Sequence, residues 1–353
     1  MKATGHRPQA TNRLKATIQP VASGLWPVAF FVCVMSFPIR ATAYSPGSIG
    51  NLGPGIDILG CAVEGAGDTV TAEFANTPGI SIAESGHPSL TSDPTSHASA
   101  IAALAVVRKA THIGATTPAG GIALRVIKGL PLSGGQGGSA ASAVAGAAAV
   151  NALIGSPLGR DEVLEAALFA ETQLAGRHLD NIAPSYLGGI ILIRSLDPID
   201  ITPLPVPSEL NIVLAIPSQS LRTADARAVL PVEVSLNVAL HQAAQVAGIV
   251  AALFTGDLAL LGRSIDDRIA EPSRAALLPG FAKAKHAALG AGALGVSISG
   301  AGPTAFALCS SEASARAVAE AMCDAYQKSG LSCTTRVTRP DLTGTRVETS
   351  TRA

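Results

Sequence analysis

Short runs rich in β-branched residues alternate along the chain with longer Ala- and Leu-rich stretches of helical period, a pattern that predicts a mixed α/β protein. Residues 69–74 (TVTAEF) and 121–127 (GIALRVI) read as strands, and residues 96–109, 139–153 and 161–174 as helices. In the third helix Leu164, Leu168 and Phe169 recur at helical spacing, and Asp161 is placed to cap the first turn. The texture changes after Gly188 and Gly189, with an apolar strand over 190–193, then Pro198, Pro203, Pro205 and Pro207, then a strand over 211–216. This places a boundary within 188–207 and divides the chain into domains of 39–190 and 191–345. The second half adds helices over 236–254 and after Pro279, and strands over 295–298 and 304–309. No repeat of 20–50 residues is present, which argues against a solenoid.

Residues 25–37 (LWPVAFFVCVMSF) form an apolar run behind Arg7, Arg13 and Lys15 that resembles a signal peptide. The run is shorter than the ~20 residues of a spanning helix. A translation start at Met35 would leave residues 1–34 outside the fold, so residues 1–38 are read as an extension.

Length and composition narrow the picture. A chain of 353 residues suggests about two domains. Hydrophobic residues make up 48% of it but aromatic residues only 3%, so the core must be built from Ala, Val, Leu and Ile, with helices close against a sheet. Lys and Arg total 25, as do Asp and Glu, and no basic block stands out. This balance offers no footprint for nucleic acid or an anionic membrane. Five widely spaced cysteines without a C-x-x-C pair indicate neither a disulfide framework nor a zinc site, and fit a reduced, cytoplasmic setting.

Glycine is in excess, at 36 residues, and the excess is concentrated in a few short loops. In residues 131–153 (PLSGGQGGSAASAVAGAAAVNAL) four glycines lead directly into an alanine-rich helix. Glycine lets backbone amides turn inward, and a helix N-terminus adds free N–H groups and a positive dipole end, which together suit phosphate. It is not a Walker A loop, since no lysine lies between Lys128 and the helix. Gly135, Gly137 and Ala140 fit G-x-G-x-x-A, but Pro131 separates the strand from the glycines and the next acid, Asp161, opens a helix, so a dinucleotide fold is disfavoured. A linker followed by a core helix is the plain alternative. The second loop, residues 45–60 (SPGSIGNLGPGIDILG), carries Asn51 and Asp57. Turn chemistry accounts for the asparagine but not for an acid between Ile56 and Ile58, where an unpaired carboxylate is unfavourable. The third, residues 295–303 (GVSISGAGP), lies between two strands and on its own reads equally as a hairpin.

In this order and spacing the three loops resemble the signature of the GHMP kinases, the superfamily of galactokinase, homoserine kinase, mevalonate kinase and phosphomevalonate kinase. Residues 176–189 (GRHLDNIAPSYLGG), 221–231 (LRTADARAVLP) and 266–281 (DDRIAEPSRAALLPGF) are most similar to the homoserine kinase branch, and the similarity covers residues 39–340. The resemblance implies a two-domain α/β (α+β) fold: an N-terminal domain like the second domain of ribosomal protein S5 and a ferredoxin-like C-terminal domain, with the site between them. It implies ATP and Mg²⁺ as cofactors, L-homoserine as substrate, and a homodimer. Pro131, Leu132, Ser133, Gly134, Gly135, Gln136, Gly137, Gly138, Ser139, Ala140, Ala141 and Ser142 would wrap the phosphates of ATP. Ser139 and Glu171 would hold the metal. Asp57 would meet the amino end of the substrate, Arg227 and Arg274 its carboxylate, and Asn51, His178, Asn181, Thr223 and Gly300 would complete the pocket. Asn181 stands where mevalonate-type relatives carry a catalytic aspartate, so catalysis by Asp57, Asn181, Ser139 and Glu171 is expected to rest on positioning and metal electrostatics. This sequence departs from the family pattern at Gly50 (alanine in the family), Gln136 (leucine), Gly138 (serine) and Leu179 (proline). Another GHMP small-molecule kinase and a non-catalytic paralogue that binds an amino acid or nucleotide are the alternatives.

Overall fold

The computed structural model describes residues 37–115 and 120–351, so the candidate start at Met35 and all but the last residue of the apolar run lie outside the described residues. A seven-stranded sheet holds β1 (Arg40–Gly50), β2 (Leu59–Ala75), β3 (Gly79–Glu84), β4 (Gly121–Ile127), β5 (Ile190–Leu196), β6 (Ile199–Leu204) and β11 (Arg346–Ser350). Its main order is β11-β1-β2-β4-β3, with β5 pairing the start of β2 and β6 pairing β5; only β3 and β4 run parallel. The expected strands over 69–74 and 121–127 fall within β2 and β4.

Helices α1 (Ala98–His112), α2 (Gly138–Leu153) and α3 (Arg160–Leu174) pack together over this sheet. Helix α2 is apolar on every side and almost wholly buried, as its composition requires. The small residues allow an unusually close approach: a Cβ on Gly146 would stand 2.5 Å from the carbonyl oxygen of Ser99 in α1. The core is therefore aliphatic and alanine-rich, as the scarcity of aromatic residues requires. Asp161, expected as the cap of α3, is not the cap: Gly159 takes that position, and Asp161 and Glu162 lie in the first turn, where acids complement the helix dipole. Leu164 and Leu168 are buried but Phe169 is exposed.

The second sheet is antiparallel, with order β10-β7-β9-β8 from β7 (Asn211–Pro217), β8 (Gly295–Ile298), β9 (Ala305–Cys309) and β10 (Cys333–Thr338). In chain order, helices separate β7 from β8, a tight loop joins β8 to β9, and α10 (Glu312–Gln327) leads to β10. This is the split β-α-β arrangement of a ferredoxin-like domain. Sheet membership moves the changeover away from residue 190: β5 and β6 still belong to the first sheet, and β11 returns to it from beyond residue 345. Between β7 and β8 lie α5 (Thr223–Ala228), α6 (Leu236–Thr255), α7 (Leu258–Arg263), α8 (Ala270–Arg274) and α9 (Phe281–Gly290). Helix α6 has the length and apolar composition of a membrane span, yet it packs Ile249, Ala252 and Leu253 into the core and bonds Gln242 to the carbonyl of Pro54.

Candidate functional site

The first half of the loop expected over residues 45–60 is strand: β1 runs to Gly50, pairing Gly47–Gly50 with Val63–Gly60 beyond a bulge at Pro46. The chain leaves the sheet at Asn51 and Leu52, both left-handed (φ 66° and 43°), and Asp57 is left-handed too (φ 60°). Asn51 fixes this turn. Its Oδ1 accepts from the Asp57 amide (3.0 Å), and its Nδ2 donates to the carbonyl of Gly300 (3.1 Å). Its own amide donates to Asp180 Oδ2 (3.1 Å).

The segment before α4 (Ile182–Leu187) crosses directly beneath. A Cβ on Gly60 would lie 1.7 Å from the Asp180 carbonyl oxygen, so only glycine lets the two backbones meet. The third glycine loop joins the two sheets at the same place: Gly300 N donates to Gly50 O (3.1 Å), and Ser299 Oγ donates to Gly135 O (2.6 Å). It is a hairpin and a tie between sheets at once.

Beside this junction opens a cavity of about 510 Å³. The resemblance-based site residues Asn51, Asp57, Glu171, His178, Asn181, Thr223, Arg227, Arg274 and Gly300 all line it, together with ten of the twelve residues of 131–142. The other two do not. Ala141 is buried in the helix core, and the Gln136 side chain points to the back of the loop. Gly137, left-handed at φ 67°, caps α2 without a side-chain bond. The first amide to find a helix carbonyl is that of Ala141, on Gly137 O (2.8 Å). The amides of Gly138, Ser139 and Ala140 are therefore without intrahelical partners at the cavity, at the positive end of the dipole.

Several contributors escaped the sequence. Lys128 lines the cavity and is fully engaged: its Nζ pairs with buried Asp68 and donates to Gly138 O and Ser142 Oγ, each at 3.0 Å. Ser142 also donates to Asp68 (2.6 Å). This buried pair supports the first turn of α2 from below. An acid inside the strand sequence GDTVTAEF was the available signal. Ser89, Leu90, Thr91, Ser96 and His97 form a further wall, and Ser48 Oγ donates to Asn181 Oδ1 (3.0 Å).

Charges are dense at the other end. Arg227 donates to both oxygens of Asp57, at 3.2 and 2.5 Å, so the two groups expected to hold opposite ends of a substrate hold each other. Arg274 is buried, with Nε on Ala226 O (3.1 Å) and Nη1 on Gly300 O (2.8 Å). Its Nη2 makes no hydrogen bond among the described residues. His178 Nδ1 faces Asp180 Oδ1 at 3.2 Å, both buried, in a charge contact whose angle falls short of a hydrogen bond. Burial pulls the imidazole pKa down, but Asp180, Glu171 and Asp57 outweigh it and hold the pKa above its ordinary value. Burial raises the Glu171 carboxyl against the pull of His178 and the Ser139 hydroxyl, and its Oε2 has no hydrogen-bond partner. Burial, reinforced by Asp180, raises Asp57 against Arg227, His178 and Arg274.

Gly138, a departure from the family pattern, is open to correction. A Cβ there meets Lys128 Nζ and Pro131 O at 3.5 Å and Leu130 Cβ at 3.6 Å, all ordinary contacts. Gly138→Ser should stabilise the chain by about 0.5 kcal/mol, by limiting the unfolded backbone. The expected result is a Tm about 1 °C higher in thermal denaturation; a lower Tm would contradict the fit.

Residues 98–189 match the family described as "GHMP kinases N terminal domain", and residues 249–328 match "GHMP kinases C terminal". A homoserine kinase of Arabidopsis thaliana is 39% identical over 347 residues, 96% of this chain and 90% of its own length. One of Chloroherpeton thalassium is 40% identical over 297 residues, 82% of this chain and 93% of its own. The crystal structure of a homoserine kinase from Cytophaga hutchinsonii superposes with a TM-score of 0.82 at 36% identity, covering 88% of this chain and 98% of that one.

Proposed function

Because the chain belongs to the homoserine kinases of the GHMP kinase superfamily, we propose that its cavity transfers the γ-phosphate of ATP to the side-chain hydroxyl of L-homoserine, giving O-phospho-L-homoserine for threonine synthesis. The observation that carries this reading is the juxtaposition, in one cavity, of a helix N-terminus with unpartnered amides and a carboxylate–guanidinium pair suited to a zwitterion.

The amides of Gly138 to Ala140 bind the phosphates and stabilise the charge that develops on the leaving group. The Ser139 hydroxyl and the unpartnered Oε2 of Glu171 suit a hard divalent cation, and these two residues would hold Mg²⁺. A cation held by them would supply positive charge against the transferring phosphates. A zwitterion entering between Asp57 and Arg227 exchanges one ion pair for two: its ammonium takes the carboxylate, and its carboxylate takes Arg227 and the free Nη2 of Arg274. Asn181, oriented by Ser48, and His178, whose pKa its acidic neighbours hold above the ordinary value, would stand beside the reacting hydroxyl. Asn181 is no base, so the hydroxyl proton leaves to phosphate or solvent, and acceleration comes from alignment and electrostatics. The reading extends to a cytoplasmic setting, a homodimer, and no nucleic-acid or membrane partner.

A coupled ADP-release assay with homoserine, mevalonate and galactose separates the candidates. Turnover with homoserine alone is the expected result. Preference for either other alcohol would identify a different GHMP kinase, and nucleotide binding without turnover would identify a non-catalytic paralogue.

A further inference from the structure

Gln136 lies at the centre of the loop sequence GGQGG, yet its side chain turns away from the cavity and is 1% exposed. Its Oε1 accepts from Arg336 Nη2 at 2.9 Å, and its Nε2 faces Thr304 Oγ1 at 3.5 Å. Its carbonyl accepts from the Ser48 amide at 3.1 Å. One residue thus ties the loop to β1, to β10 and to the residue that opens β9. The glycines around it cannot supply this: Gly135 and Gly137 are both left-handed, at φ 73° and 67°, and glycine alone leaves such a backbone many alternatives.

Arg336, on β10, makes no salt bridge among the described residues, and its Nε is buried without a hydrogen-bond partner. Burial pulls its pKa down, as expected for a guanidinium shielded from water. The acceptor it does have is Gln136. A half-buried cation with one neutral amide as its acceptor is a demanding arrangement, since removing the amide leaves the guanidinium without a hydrogen-bond acceptor among the described residues.

We propose that Gln136, held by Arg336, is the positioning residue of the nucleotide loop: the pair locks the glycine backbone so that the amides of Gly138, Ser139 and Ala140 face the cavity. This rests on the reading of that cavity as a nucleotide site. Neither side chain touches the ligand, so their effect falls on nucleotide affinity and not on the chemical step. The couple also accounts for a polar residue where related loops carry leucine, because leucine offers Arg336 no acceptor.

The test uses Gln136→Met, which nearly keeps the side chain's size, Arg336→Met, which keeps an aliphatic stem without the guanidinium, their double variant, and Arg336→Lys, with MgATP affinity by calorimetry and both KM values and kcat by coupled assay. Each methionine variant should weaken MgATP binding about tenfold, the scale of a hydrogen bond to a charged group. The KM for homoserine and kcat at saturating ATP should stay within about twofold, since the lost contacts lie behind the loop. The double variant should be no worse than the worse single one, because the two side chains act as a unit. Arg336→Lys, which keeps a cationic donor, should recover part of the loss. Nucleotide affinity unchanged in both single variants, losses that multiply in the double, or a fall in kcat at saturating ATP would overturn the proposal. If Gln136→Met does not fold, the two Arg336 variants decide the matter by the same criteria. Wild-type protein that fails to bind MgATP would overturn the site reading itself, whereas wild-type binding with indifferent variants overturns only the couple.

Discussion

Glu171→Gln is expected to lower kcat by about 10²-fold or more while making the unliganded protein more stable, a split that an ordinary structural carboxylate would not give. The loss follows from removing the charged oxygen that faces the phosphate loop beside Ser139. The gain follows from burial. The Glu171 carboxyl titrates above its ordinary value in the fold, so its stability contribution is greatest at low pH and is lost as pH rises through the raised pKa. Once ionised, the buried carboxylate lowers the stability of the unliganded protein. Glutamine removes the charge and should raise Tm by about 1–3 °C near pH 7. His178, also raised, has the same sign: its contribution is complete below its ordinary pKa of 6.5 and fades as pH climbs through the shifted value. Unliganded wild-type protein should therefore lose Tm as pH rises above 6.5, and Glu171→Gln should lose less. A variant with full activity, or with Tm lowered by several degrees, would remove the metal role.

Asp57→Asn is expected to reduce kcat/KM for homoserine by about 10²-fold, the scale of a charge-assisted hydrogen bond, with MgATP affinity within about twofold of wild type. The asymmetry reflects the partners: Asp57 pairs with Arg227, while the open amides belong to the first turn of α2, to which Lys128 donates. Because the carboxylate already pairs with Arg227, asparagine also loosens that arginine, so part of the effect should appear as a higher KM for any amino-acid carboxylate. Steady-state kinetics with homoserine varied, alongside nucleotide calorimetry, reads both halves. Equal losses for both substrates would mean that Asp57 shapes the cavity as a whole.

Those parts of the fold that depend on local pattern were legible. Strand β4 follows from its alternation, and α2 from an apolar helical run behind a glycine loop. The unassigned elements owe their existence to distant partners. Strand β11 is exposed along its whole length and pairs with β1 from the opposite end of the chain, which no window of sequence reveals. Helix α10 is a different case: Ser311 caps it through the Ser314 amide, and Ala315, Val318, Ala319, Met322 and Tyr326 line its buried face at helical spacing, so its signal was present and unread. Within the site, residue types were legible but their partners were not. Asp57 stood out as an acid in apolar surroundings, yet its engagement with Arg227, 170 positions away, exists only once the two sheets meet. Asp180, between His178 and Asn181, was given no role of its own, although its two oxygens hold the Asn51 turn and face the imidazole.

The most direct test is a calorimetric titration of the folded protein with homoserine in the presence of a magnesium-bound, non-hydrolysable ATP analogue. One nucleotide and one homoserine should bind per chain, the amino acid more tightly once the nucleotide is in place and not at all in an Asp57→Asn, Arg274→Gln double variant. Absence of heat from the nucleotide, or homoserine binding that survives loss of both groups, would contradict the placement of a triphosphate and a zwitterion in this one cavity.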